Sequence, residues 1–132
     1  MTLEDLIEQA IEIRKHAYVP YSSFSVGAAL KTKSGKIYTG CNIENASYPV
    51  SCCAERVAIF KALSAGEREF VEMAVAADTQ RPVPPCGSCR QVMSEFFPKE
   101  MKVHLTNLQR DVKTFTMDEL LPFSFAKDDL KK

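Results

Sequence analysis

The chain has no excess of charge of either sign. Lys and Arg together number 17, as do Asp and Glu, so the formal net charge at pH 7 is zero. Neutralising a phosphate backbone takes a surplus of Lys and Arg. The balance therefore argues against nucleic acid and against an anionic membrane as partners. There is no apolar run of the roughly 20 residues that a bilayer-spanning helix needs. The opening stretch, Met1 to Tyr18, has early acidic residues and no basic run before a continuous apolar core. It is therefore not expected to be a signal or transit peptide. Internal repeats and low-complexity tracts are missing as well. The five cysteines make an odd number, and no export signal accompanies them. That disfavours a disulfide framework. It favours a reducing, cytoplasmic compartment and thiols used for metal binding or catalysis.

What is present reads as an ordinary globular chain, expected to form one domain over residues 1–132. Its composition is 45% hydrophobic and 26% charged, and its length can bury a core without disulfides. Leu3, Leu6, Ile7, Ala10, Ile13 and Ala17 recur at helical spacing, with Thr2 as N-cap and Asp5 three residues on. After a loop around Pro20, Phe24 to Thr39 reads as a hairpin turning at Ser34–Lys36. Cys53 to Ala65 reads as a helix stopped by Gly66. Phe70 to Asp78 reads as a strand buried on both faces. Cys86 to Phe97 reads as a helix ended by Pro98. Met101–Leu108 and Asp111–Thr116 read as strands, followed by a short helix cut by Pro122. The closing residues KDDLKK are expected to be solvated. Five strands and the long helices predict a three-layer α/β/α architecture around a mixed five-stranded sheet.

The chemistry concentrates in the cysteines. PPCGSC places Cys86 and Cys89 at i and i+3, so both sulfurs at a helix start can reach one point. Helix N-termini also favour thiolate. CxxC alone fits a zinc site or a redox dithiol equally. CAE at 53–55 breaks the tie, because it too lies where a loop feeds a helix. Two such termini side by side can offer three thiolates to one Zn²⁺. A structural zinc wants a fourth protein ligand. The candidates, Cys52, Cys41, His16 and His104, are each better explained as structural residues. Three ligands leave one position open for water, as in a catalytic site. Glu55 supplies a proton acceptor for that water. A helical wheel, however, sets residue 55 far around from residue 53, so spacing alone does not bring them together. The plainer alternative is a first-turn glutamate on the surface. Arg56 can offset the surplus negative charge of three thiolates on one divalent ion, or it can form an ordinary surface ion pair.

The segments PYSSFSVGAAL, GCNIENASYP, CAERVA, PCGSCRQV and LLPFSF closely resemble cytidine deaminases of the small three-cysteine class. The general deaminase signature has a first ligand, a glutamate two residues on, and PCxxC, with three cysteines permitted. Here Cys53 fills the first position, with Cys86 and Cys89 after it. The resemblance implies the cytidine-deaminase fold and zinc-dependent hydrolytic deamination of cytidine and deoxycytidine, as in pyrimidine salvage. Glu55 would shuttle protons between water, N3 of the base and the leaving amine. It also implies that Asn42 and Glu44 meet the ribose 3′-hydroxyl and that Phe24 lies near the base. Ala54 would offer backbone to the base, and Tyr48 would line a subunit contact. Phe125 would reach into a neighbour's active site, making a homotetramer with shared sites. A carboxylate at Glu44 would repel phosphate, which argues for a free nucleoside over a nucleotide or a strand. Three rivals remain. A structural zinc or redox module predicts no open metal position. A nucleic-acid deaminase predicts a basic groove and stacking platforms. A deaminase of another small aminopyrimidine would use the same zinc site.

Overall fold

The computed structural model of the protein describes residues 2–130. Helix α1 spans Leu3–Ile13. The Thr2 hydroxyl accepts from the Asp5 N–H, and the Asp5 carboxylate accepts from the Thr2 N–H at 3.0 Å. This closes the capping box with a shorter acid than the usual Glu, and such caps contribute about 1 kcal/mol. The helical pattern runs on to Ala17, but the last turn is a 3₁₀ helix at Arg14–His16. Two antiparallel strands follow, β1 (Val26–Thr32) and β2 (Ile37–Cys41). Their turn contains Gly35 at φ 92°, a conformation that glycine adopts without steric cost. Helix α2 (Ala54–Ser64) ends as expected at Gly66, φ 95°. There the Gly66 and Glu67 N–H groups bond back to the Leu63 and Ala62 carbonyls, a Schellman closure.

Strand β3 (Phe70–Ala77), helix α3 (Gly87–Phe96), strands β4 (Lys102–Thr106) and β5 (Val112–Thr116) and the short helix α4 (Met117–Leu120) complete the element order. The sheet order is β2-β1-β3-β4-β5, with only β3 and β4 paired in parallel. The mixed five-stranded sheet predicted from the pattern is thus present. Beyond α1, strand and helix ends fall within two residues of the expected ones, and the start of β3 and the end of β5 coincide with them.

Alternation divides the sheet into two faces. Ala29, Ala74 and Ala76 face α1 and pack against Leu6, Ile7 and Ala10. Leu30, Met73, Val75, Val103 and Leu105 face the other way, toward α2, α3 and α4. The three-layer arrangement follows. Because β1 runs antiparallel to both β2 and β3, those two strands point the same way. Helices α2 and α3 each follow one of them, so both helices begin at the same end of the sheet. That is where open α/β sheets bind ligands.

The approach of α2 to the sheet is close. A Cβ on Gly40 of β2 would lie 2.4 Å from the Ala58 N and 2.5 Å from the Ala54 O. On the α1 side, His104 is buried beside Ala74 in the register. Its Nδ1 meets the Thr114 hydroxyl at 2.8 Å and its Nε2 the Glu72 carboxylate at 2.7 Å. A buried polar ring so partnered is a structural residue. Cys41 is buried and His16 exposed. The tail forms an exposed 3₁₀ turn at Lys127–Leu130; Lys131 and Lys132 of the expected solvated end lie outside the described residues.

Candidate metal centre

Cys53 is the N-cap of α2 and Cys86 the N-cap of α3. Cys89 sits one turn into α3 and is fully buried. The Cys53 and Cys86 sulfurs are 3.8 Å apart, and those of Cys86 and Cys89 are 3.4 Å apart. All three ligand atoms lie within 4.8 Å of one another. Sulfurs bound tetrahedrally to one Zn²⁺ at about 2.3 Å would stand about 3.8 Å apart. The donor set therefore fits zinc by both spacing and softness. No fourth His, Cys, Asp or Glu joins this cluster among the described residues. The structure thus brings together the three cysteines expected to hold a metal.

The backbone explains why Cys53 and not Cys52 takes part. Cys52 and Ile43 exchange both backbone hydrogen bonds, at 2.8 and 2.9 Å. Cys53 follows in an extended conformation, φ −73° and ψ 154°. Successive side chains on extended backbone point to opposite sides. One cysteine therefore faces the α3 terminus and its neighbour faces away. The same N-cap geometry removes the helical-wheel objection, because residue 53 is not on the wheel.

Glu55 lies in the first turn of α2 with only 5% of its surface exposed. Burial pushes its carboxyl up to about 7, and the Cys53 charge adds to this while Arg56 opposes it. The surface-glutamate alternative is therefore excluded. A carboxyl poised near neutrality can both take up and give back a proton at physiological pH.

Arg56 points its Nη2 at the Cys53 sulfur, 3.4 Å away. Its Nε is buried with no hydrogen-bond partner among the described residues. The contact with Cys53 raises the arginine pKa above its ordinary value. Cys53 in turn is pushed down to about 5, chiefly by a hydrogen bond from the Cys89 thiol, with Arg56 assisting against burial. Cys89, the proton donor of that pair, is pushed up.

A cavity of about 250 Å³ opens beside this cluster. Its lining includes Cys53, Glu55 and Cys86 together with Phe24, Asn42 and Ala54. Its size suits one small molecule. Asn42 lies just past β2. Its side-chain oxygen accepts from the Val26 N–H at 2.9 Å, and its amide donates to the Phe24 carbonyl at 2.7 Å. It thereby fixes the loop that carries Phe24. Ala54 opens α2, where the first N–H groups have no intrahelical acceptor.

The family model for the cytidine and deoxycytidylate deaminase zinc-binding region matches residues 1–105. The chain belongs to this deaminase family. The cytidine deaminase of Halalkalibacterium halodurans is 56% identical over 130 residues, covering 98% of each chain. That of Sporosarcina psychrophila is 54% identical, covering 98% of this chain and 96% of its own. The crystal structure of cytidine deaminase from Burkholderia pseudomallei superposes with a TM-score of 0.92 at 52% identity. It covers 95% of this chain and all of its own.

Two residues expected in this deaminase's site do not line its own cavity. The Glu44 carboxylate turns onto the preceding loop and accepts from the Tyr21 and Ser22 N–H groups at 3.0 and 3.1 Å. Hydrogen bonds from Ser22, hydroxyl first, and from Tyr21 hold its pKa below the usual carboxylate value. Phe125 is 58% exposed and Phe123 fully so, and neither lines the cavity. Phe123 therefore does not pack on its own domain, and Phe125 is covered by it only in part. Conversely, Val26, Val75, Ala77 and Val83 form apolar walls of the cavity that the sequence did not single out. Their strand or loop positions could be read, but the end of the sheet that they border could not. No helix among the described residues is long and apolar enough to cross a membrane.

Proposed function

We propose that this chain hydrolyses cytidine and deoxycytidine to the corresponding uracil nucleosides and ammonia, with Cys53, Cys86 and Cys89 holding the zinc and Glu55 moving the protons. The observation that carries this reading is a buried carboxyl poised near pH 7 beside three sulfurs spaced for one ion, on the lining of a cavity sized for a small molecule. When bound, zinc supplies Lewis acidity, which lowers the pKa of a coordinated water from about 15.7 to about 7. Glu55 takes a proton from the attacking water and delivers it to N3 of the base, which makes C4 electrophilic. The water oxygen adds to C4. Glu55, its first proton given to N3, takes the second proton from the hydroxyl now on C4 and hands it to the exocyclic nitrogen; the C4–N bond breaks, ammonia leaves and C4=O forms. Arg56 and the two helix N-termini offset the negative charge of the thiolates.

The remaining residues bind and orient. The ring of Phe24 and the backbone of Ala54 face the base, and Asn42 and Glu44 meet the ribose. The Glu44 carboxylate, kept ionised by its hydrogen bonds, disfavours a phosphate and so selects nucleosides over nucleotides and nucleic acid. The working unit is a homotetramer in which Phe125 enters a neighbouring subunit's site. Support for this comes from the exposure of Phe123 and Phe125 and of Tyr21 and Tyr48, which stack on each other edge to face at 5.8 Å. A single domain over 1–132 and a cytoplasmic location complete the reading. The decisive assay follows the ultraviolet absorbance of cytidine, deoxycytidine and CMP, with zinc counted per chain. Zinc-replete enzyme should turn over both nucleosides and leave CMP, and Glu55→Ala should be inactive with zinc retained. Failure of the zinc-replete enzyme to convert either nucleoside overturns the assignment.

A further inference from the structure

Two side chains follow Cys89 on α3, and neither takes part in the metal centre. The Arg90 Nε donates to the Pro85 carbonyl at 2.8 Å, and its Nη1 donates to the Leu120 carbonyl at 2.9 Å. One guanidinium thus ties the residue before Cys86 to the end of α4. The Gln91 Nε2 donates to the Phe125 carbonyl at 2.8 Å. Between these two ties the strap from Leu121 to Phe125 has no helix or strand. Leu121 packs on the core, but beyond it Pro122 and Phe123 are exposed, and Phe123 sits at φ 53°. A further tie, the Ala126 N–H to the Asp129 carboxylate at 2.8 Å, lies within the tail itself.

We propose that Gln91 is a positioning residue for the deaminase reaction: its amide holds the Phe125 carbonyl, and so sets the direction in which the Phe125 ring is presented to a nucleoside base. The inference rests on the reading of Phe125 given above. Its physical basis is the exposure of that ring, 58% of its surface, in its own subunit. An exposed side chain on an irregular segment points where its backbone is held, and a segment with few buried contacts opens at low cost. Arg90 anchors the start of the strap and Gln91 its end, and both stand on the helix that begins at Cys86. The stacking ring is thereby indexed to the same rigid element that carries two of the three sulfurs. Loops that present binding residues need such support to hold them in a productive geometry.

The test uses Gln91→Glu, which keeps the shape but replaces the donor amide with an acceptor that repels a carbonyl. KM and kcat for cytidine, zinc per chain and Tm are measured for Gln91→Glu, for Phe125→Ala and for the double variant. Gln91→Glu should raise KM about fivefold, the weight of one hydrogen bond, with kcat, zinc and Tm near wild type. In the Phe125→Ala background it should raise KM no further. Gln91→Met, which removes the donor without adding charge, should repeat the result and covers the case of a poorly folding glutamate variant. Effects on KM that multiply in the double variant, or a loss of zinc or kcat with KM intact, overturn the proposal. An unchanged KM for Gln91→Glu beside a raised KM for Phe125→Ala defeats it alone. An unchanged KM for Phe125→Ala defeats the stacking role of Phe125, and this proposal with it.

Discussion

Replacing Glu55 with Gln should have two opposite effects, one on stability and one on rate. Glu55 is buried in the first turn of α2, and burial lifts its carboxyl from an ordinary 4.5 to about 7. Between those values the folded chain keeps a proton that the unfolded chain has lost. This contribution to stability is full below pH 4.5 and disappears as pH rises through 7. A shift of this size corresponds to about 3 kcal/mol. Gln cannot ionise, so the Glu55→Gln variant escapes the loss. In metal-free protein its stability relative to wild type should grow by about 2–3 kcal/mol between pH 5 and pH 8. Urea unfolding of both proteins under reducing conditions at the two pH values measures this directly. The difference of differences cancels the titration of groups that both proteins share. In the zinc-loaded enzyme the same substitution should lower kcat by about 10²–10⁴-fold while zinc stays bound. A stability gap that does not change with pH refutes the account of a buried, proton-holding carboxyl. A rate loss below tenfold would show that some other group moves the proton.

Gly40→Ala should lower Tm and weaken zinc retention, because the new methyl would meet the Ala54 and Ala58 backbone of α2 at about 2.5 Å. The loss expected is about 3 kcal/mol or more, read by thermal unfolding and zinc counting, and an unchanged Tm would mean that α2 seats with slack. Cys53→Ser should lose zinc, whereas Cys52→Ser should retain it, since backbone bonds to Ile43 turn that residue away from the other sulfurs. Equal zinc loss in the two variants would show that the strand-like alternation there is wrong.

Much of the fold was legible because it is written locally. The Thr2–Asp5 box, the stop at Gly66 and the apolar run that buries β3 on both faces are each set by neighbours within a few residues, and each appears where the pattern puts it. The pairing of Cys86 with Cys89 is equally local. Other features joined distant parts of the chain and could not be read. The partners of His104 lie 32 residues before it and 10 after it, and nothing in either segment announces the other. The second capping box, Thr116 with Glu119, is a local signal of the same kind as the first. The Gln91 contact with Phe125 spans 34 residues, and both ends look ordinary in isolation.

The sequence alone determined which residue types were available for metal and proton chemistry and which short segments carried them, because helix starts and CxxC spacing are local. The tertiary structure decided that Cys53 joins Cys86 and Cys89, and that Glu55 is buried beside them and not exposed. The reason is strand direction. β2 and β3 run the same way across a shared partner, so two helices that are far apart in the chain begin side by side, and burial there lifts a carboxyl to neutrality.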